Sequence, residues 1–437
     1  MGFPTTRSRM DRLVAAYADK GRFSGSVLVA RGARVMFRKG YGMANYEHHV
    51  PNTAGVAFRI GSQTKAFTAI AILQLQERGL LRAGEPVGTY LVGYPDGDRI
   101  TIEHLLMNTS GIPDYVTTEE FTSIMGLRRS PDEVADSFRH LPLMFEPGAR
   151  MSYSNSGWVL LGLVIERITG MAYRDYVREQ ILVPLGMSSS GLADTGDVID
   201  RHADGYMSSE NGVSRTPYLD NSNQYAAGGL HSTVEDLYRW HRGLHGGKLL
   251  SPTSVEELLK PRAGYDGSTY GYGYTFNRMY GRPRIEAAGG TIGFVSTTVH
   301  YPDDDLVVIV LSNFENGAYS DVADGLAAIA LGQPYELPAD RVFVNVDPSV
   351  FGAYLGRYTT SYAGRPVAMD VTREGDRLMV TVAGLKKTEL RPLSPTKYFA
   401  RMKGEVELTF VVDGDAQAHA VAMRWAGVPL TAQRVTA

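Results

Sequence analysis

Ser62-Gln63-Thr64-Lys65-Ala66-Phe67-Thr68-Ala69-Ile70-Ala71-Ile72-Leu73-Gln74-Leu75 opens with a hydroxyl and an amine three residues apart and runs on as an apolar helical stretch to residue 78. Positions i and i+3 of a helix share one face, about a turn apart, so Ser62 and Lys65 are neighbours there. A serine hydroxyl is a weak nucleophile at neutral pH and needs a base within hydrogen-bond reach; an adjacent amine can supply it. Phe67, Ile70, Ile72, Leu73 and Leu75 predict a buried helix with a rigid first turn, whose N-terminal N–H groups favour a developing oxyanion. Serine is also a common N-cap. The same spacing recurs at Ser394-Pro395-Thr396-Lys397, in a β-rich tail with no helical context. Spacing alone leaves nucleophile and cap both open.

Tyr153-Ser154-Asn155 follows a turn at Phe145-Glu146-Pro147-Gly148 and precedes an apolar helix over 158–168. A loop tip between ordered elements can aim a phenol and an amide into a cleft. A phenol beside an ammonium has its ionised form favoured and can shuttle protons, while the amide can bond the lysine and a substrate carbonyl. Taken alone, Tyr-x-Asn reads as a tyrosine capping the core.

With 437 residues, the chain can hold two or three domains. Hydrophobic residues make up 43% and charged ones 21%, and the formal charge of −3 leaves no basic footprint for nucleic acid. No apolar run approaches the ~18 residues that span a bilayer. The N-terminal segment carries Arg7, Arg9, Asp11, Arg12 and Asp19 around Leu13-Val14-Ala15-Ala16-Tyr17, an amphipathic helix rather than a signal peptide. A cytoplasmic, non-membrane protein is the expectation. The absence of cysteine excludes disulfides, thiolate metal sites and cysteine nucleophiles, but does not fix the compartment.

Apolar strands at 25–30 and 34–38, joined at Gly32, predict a hairpin at the edge of an antiparallel sheet. Helices are expected at 62–78, 131–139, 156–169, 173–181 and 233–243, and strands again at 271–276, 295–301 and 306–312. Strands at both ends of a helical middle imply an α+β domain whose sheet joins the two chain ends. Residues 333–347 read as a linker. Beyond it the period changes to two: Val367, Met369, Val371; Leu378, Val380, Val382; Val406, Leu408, Phe410, Val412. Turns at Glu374-Gly375-Asp376 and Asp413-Gly414-Asp415 separate these runs. About eight short strands point to a small antiparallel barrel over 348–437, after a first domain over 1–332.

His202, His231 and the adjacent His48-His49 form no ligand set. His241 and His245 have i, i+4 spacing but no third ligand in view, and read as a solvated helix end rather than a zinc site. No metal, nucleotide or other cofactor is expected.

Ser62-x-x-Lys65 and Tyr153-x-Asn155, with their separation, resemble the class C β-lactamase and penicillin-binding-protein-like serine hydrolases, a group that includes D-peptidases, D-aminopeptidases and carboxylesterases. Residues 105–112 (Leu-Leu-Met-Asn-Thr-Ser-Gly-Ile), Ala226-Ala227-Gly228-Gly229-Leu230 with Ser232-Thr233, and Tyr270-Gly271-Tyr272-Gly273 fit the same group. The resemblance covers roughly 10–330. It implies a β-lactamase/transpeptidase-like antiparallel sheet with a helical cluster, and the tail looks like the all-β lipocalin-like barrel that some members append. It assigns Ser62 as nucleophile, Lys65 and Tyr153 as bases, and Asn155 as their orienting amide. Ser62 and Gly290 N–H groups become the oxyanion donors, with Ala287 and Gly289 lining the substrate strand. The glycines also read as a strand bulge.

The family's third motif is Lys or His, any residue, then Gly. Alignment through Gly289-Gly290 and Gly293-Phe294 puts Ala287 where that cation belongs. A methyl cannot hold a substrate carboxylate, and losing such a charge-assisted contact forfeits about 1.5–3 kcal/mol. Arg282 and Arg284 lie nearby as potential replacements, although alternation puts Arg284 on the opposite face from Ala287. The expected activity is a serine hydrolase that forms an acyl-enzyme on small-molecule or peptide esters and amides. Relatives that cyclise or transfer nonribosomal peptides from a carrier-protein-bound thioester offer a second reading, and a non-catalytic binding protein a third.

Overall fold

The computed structural model describes residues 4–437 except 193, 195, 210–211, 266–267, 363–364, 383–384, 386, 403, 414–416, 426–427 and 436–437. Gly414 and Asp415 of the expected turn therefore lie outside the described residues.

The strand Leu306–Ser312 is buried at every position. Period two explains how: Leu306, Val308 and Val310 join one core, while Val307, Ile309 and Leu311 join another across the sheet. It lies between Phe294–Tyr301 and the N-terminal strand Gly25–Arg31, with Val27 opposite Val310 and Val295 opposite Ser312. The two ends of the first domain thus meet in one eight-stranded antiparallel sheet, and the hairpin partner Arg34–Tyr41 forms its edge, as expected. At the other edge the expected strand 271–276 is displaced. Tyr272 and Gly273 adopt positive φ and turn the chain, so one strand ends at Gly271 and the next runs Tyr274–Met279.

One sheet face is covered by the helices Thr6–Asp19 and Tyr319–Ala330, the second absent from the sequence expectation. They pack closely because Gly325 has no Cβ; one there would lie 2.6 Å from Leu13 Cδ2. The other face carries the helical region. Thr64–Glu77 lies at its centre, buried from Thr64 to Leu73 and at Leu75, as a helix apolar all round must be. Phe67 stacks on Trp240 at 4.8 Å, and Trp240 on Tyr274 at 6.4 Å. Asn155–Thr169 packs beside it and ends at Gly170 in the left-handed region.

Eight further strands, Gly356–Tyr362 through Val428–Arg434, close into a barrel when Tyr358 pairs with Arg434. Its buried positions alternate as expected at Val406, Leu408 and Phe410. Phe410 contacts both Tyr358 and Tyr398, with ring centroids 6.2 and 5.5 Å apart. The barrel meets the first domain through Glu405, which is ion-paired to Arg22 and lies 2.8 Å from Arg341 and 3.1 Å from Arg401. Among the described residues, no helix is long and apolar enough to cross a membrane.

Candidate active site

Gly61, at φ +52, turns the chain into a single 3-10 turn, Gly61–Gln63, that leads directly into the helix Thr64–Glu77. Ser62 sits in that turn and Lys65 in the first helical turn. The turn is pressed against the strand Arg282–Thr291. A Cβ on Gly289 would lie 1.9 Å from the Ile60 carbonyl oxygen, and one on Gly61 would lie 2.8 Å from the Gly290 backbone. Pairing with Phe294–Tyr301 continues without a register shift from Ile285 to Thr291. The two glycines therefore mark a close approach and not a bulge. Ser296 Oγ donates to the Ile60 carbonyl and Thr298 Oγ1 to Gln63 Oε1, both at 2.8 Å, which fixes the turn on the sheet.

Lys65 is 1% exposed. Its Nζ donates to Ser62 Oγ at 3.0 Å, Asn155 Oδ1 at 2.7 Å and the Ala227 carbonyl at 2.7 Å. Ala227 belongs to the Ala226–Leu230 segment singled out in the sequence, which Thr68 and Thr64 tie to the same helix. Tyr153 Oη donates to Ser62 Oγ at 2.7 Å, and its ring centroid lies 4.9 Å from Lys65 Nζ. Segment 105–112 holds the tyrosine loop. The Asn108 carbonyl accepts from Ser152 N–H at 2.8 Å; its Oδ1 accepts from Ser154 N–H at 3.2 Å and Trp158 Nε1–H at 3.1 Å. Gly273, at φ +91, brings Tyr270-Gly271-Tyr272-Gly273 against the backbone of Lys65 and Ala66. All four predicted side chains converge on one point, within reach of Gly289 and Gly290.

Asp114 was not legible as a site residue. It is 4% exposed, accepts from the Asn155 backbone N–H at 3.0 Å and from Asn155 Nδ2 at 3.2 Å on both carboxylate oxygens. That fixes the amide with Oδ1 toward Lys65, so a buried ammonium and a buried carboxylate are joined through one amide. The geometry makes Asn155 an orienting group for Lys65 and Asp114 a positioning residue behind it. Its sequence signal is its place two residues after Ile112, at the end of the segment that holds the tyrosine loop. Replacing Asp114→Asn should lower kcat about 10–100-fold with little change in KM, because an unanchored amide lets Lys65 drift. Steady-state kinetics on an activated ester checks this, with the Asp114→Glu variant recovering part of the loss.

Ala287 is 1% exposed and pairs with Thr298. Neither nearby arginine replaces the missing cation. Arg284 is buried between Glu286 at 2.6 Å and Asp324 at 3.5 Å, and Arg282 bonds Asp304 at 2.7 Å. Burial lowers His202 to about 3 and His231 to about 4, and the two neutral rings meet edge to face at 6.2 Å. His241 departs from expectation. It is buried beneath its helix rather than solvated.

A hydroxyl held between a phenol and an amine, with a glycine strand alongside, can undergo deprotonation and attack a carbonyl. The beta-lactamase family model matches residues 10–333. Penicillin-binding protein 4* of Bacillus subtilis is 31% identical over 434 residues, 94% of this chain and 95% of that protein. The octameric penicillin-binding protein homologue from Pyrococcus abyssi superposes with a TM-score of 0.67 at 26% identity, covering 97% of this chain and 99% of that one. D-amino acid amidase from Ochrobactrum anthropi gives a TM-score of 0.65 at 25% identity, over 74% and 96% of the two chains. The chain belongs to the beta-lactamase family of serine hydrolases.

Proposed function

We propose that this protein cleaves esters or amides of D-amino-acyl groups through an acyl-enzyme on Ser62, and that its substrates carry no free carboxylate at the position facing Ala287. The observation that carries the reading is the convergence of Lys65 Nζ and Tyr153 Oη on Ser62 Oγ, at 3.0 and 2.7 Å. Ser62 Oγ passes its proton to Tyr153 as it attacks the carbonyl carbon, Tyr153 acting as the phenolate that the Lys65 ammonium beside it stabilises. Backbone N–H groups of Ser62 and Gly290 hold the oxyanion, each such donor being worth ~10²–10³ in rate. Tyr153 returns the proton to the departing amine or alcohol, then takes one from the water that attacks the acyl-enzyme. Gly289 lets the acyl chain lie along the strand edge. The amidase likeness supports a D-amino-acyl group, and Ala287, with both nearby arginines already engaged, supports an amide or ester over a carboxylate-terminated peptide.

Hydrolysis of matched D- and L-amino-acid amides, p-nitrophenyl esters and carboxylate-terminated D-dipeptides tests this. Turnover of D-amides and esters is expected, and equal rates for both enantiomers would reject the acyl assignment. Peptidyl thioesters with an added amine report, by product mass, whether an amine competes with water. Ala287→Lys should raise kcat/KM for carboxylate-terminated substrates about 10–100-fold, the value of one charge-assisted contact, without raising it for amides. An unchanged ratio between the two substrate classes would remove residue 287 from substrate selection.

A further inference from the structure

Three histidines meet away from the serine. His241 and His245 lie one turn apart at the end of the helix Val234–His245, and His300 stands on the strand Phe294–Tyr301 beneath it. Their ring centroids are 4.5–4.6 Å apart in all three pairings, and one nitrogen from each lies within 4.8 Å of the others. His241 is buried, and His300 Nδ1 is a buried nitrogen with no hydrogen-bond partner. Neutral imidazoles facing each other with an unused lone pair are a donor set for a borderline metal ion.

We propose that His241, His245 and His300 bind one divalent transition ion of the zinc class, with water in the fourth position, and thereby fasten the helix end to the sheet. Tetrahedral bonds of about 2.1 Å place ligand nitrogens about 3.4 Å apart, so the three donors close on the ion by ring shifts of the order of 1 Å. At His241 and His300 burial, the neighbouring histidines and Arg242 all favour the neutral imidazole. That leaves the lone pairs available to a metal at neutral pH. The charged groups facing the cluster are Arg242, on the same helix, and Asp305, on the turn after the strand; they pair at 3.4 Å and offset one another. The site is separate from the serine. Val295 opposes Gly290 at the catalytic end of the strand, and His300 lies five residues on, about 17 Å away at ~3.3 Å per residue.

The test is Zn²⁺ titration of the full chain after chelator treatment, read by calorimetry and by metal content after gel filtration. One equivalent should bind, and Ser62→Ala should bind identically. His245→Ala and His300→Ala should each weaken binding at least tenfold. Zn²⁺ should raise the Tm of the parent chain but not of His245→Ala, whose exposed position makes that variant the one that keeps its fold. Co²⁺ added to the parent chain should give the visible d–d bands of a four-coordinate nitrogen site, a readout that needs no variant. Absence of uptake and of those bands, or unchanged affinity in the two histidine variants, would overturn the assignment.

Discussion

Ser62→Ala is expected to lower kcat/KM on any ester or amide that the protein turns over by about 10⁴–10⁶-fold, the scale on which removal of a serine nucleophile acts when its partners work as a unit. The fold should be almost unaffected. The hydroxyl accepts from Lys65 and Tyr153, yet Lys65 keeps Asn155 Oδ1 and the Ala227 carbonyl. Stability should therefore move by no more than about 1 kcal/mol. The combination is diagnostic. A mere N-cap serine would cost stability and leave activity in place, whereas a nucleophile does the reverse. Kinetics and thermal unfolding on the same preparation separate the two, and retained turnover would remove Ser62 from the role of nucleophile.

Glu405→Gln is expected to be the most destabilising single change of charge, by about 3–5 kcal/mol, because it removes the carboxylate of a buried ion cluster and leaves Arg341 with Glu407 alone. The Glu405 side chain is 5% exposed among Arg22, Arg341 and Arg401. Burial pushes its pKa up, but Arg22 and Arg341 outweigh that and hold it below the ordinary carboxylate value. A carboxyl lowered in the folded state stabilises the fold above its unfolded pKa, near 4.5, and loses that contribution as pH falls through the lowered folded value. The stability gap between parent and Glu405→Gln should thus be full at pH 7 and shrink below pH 4.5, as the protonated acid comes to resemble the amide. Urea unfolding at pH 7 and pH 3.5 measures both gaps. A gap independent of pH would mean that the carboxylate charge is not what joins barrel to sheet.

What could be read in the sequence follows the range of the forces involved. The central strands were legible because both faces are buried and their residues are apolar throughout, as in Leu306–Ser312. The helix Thr64–Glu77 was legible for the same reason. Tyr319–Ala330 was not, because alanines and Gly325 make its packing face small, and only contact with Leu13 gives that face meaning. Of the site, Ser62 and Lys65 are local neighbours on one turn, and Tyr153 and Asn155 share a second motif, so two short patterns held four residues. Asp114 acts on Asn155 across 41 residues and belongs to neither pattern. The histidines show the same limit. The i, i+4 pair was visible, but its third member comes from a strand 55 residues beyond His245, and burial of His241 depends on the sheet beneath.

The glycines of the third motif join fold and chemistry. Gly289 and Gly61 let a strand and the turn that bears Ser62 approach closer than any side chain allows. Ala287, two residues before Gly289, is a methyl group on that strand, whose own cations Arg282 and Arg284 are engaged with acidic residues.

The central claim is that Ser62 carries an acyl group during turnover. Intact-protein mass spectrometry after rapid quench with a D-phenylalanine p-nitrophenyl ester tests it most directly, followed by peptide mapping. A mass increase equal to one acyl group, located on Ser62 and absent from Ser62→Ala, is expected. Turnover with no adduct on the parent chain, or an adduct that persists in Ser62→Ala, would contradict it.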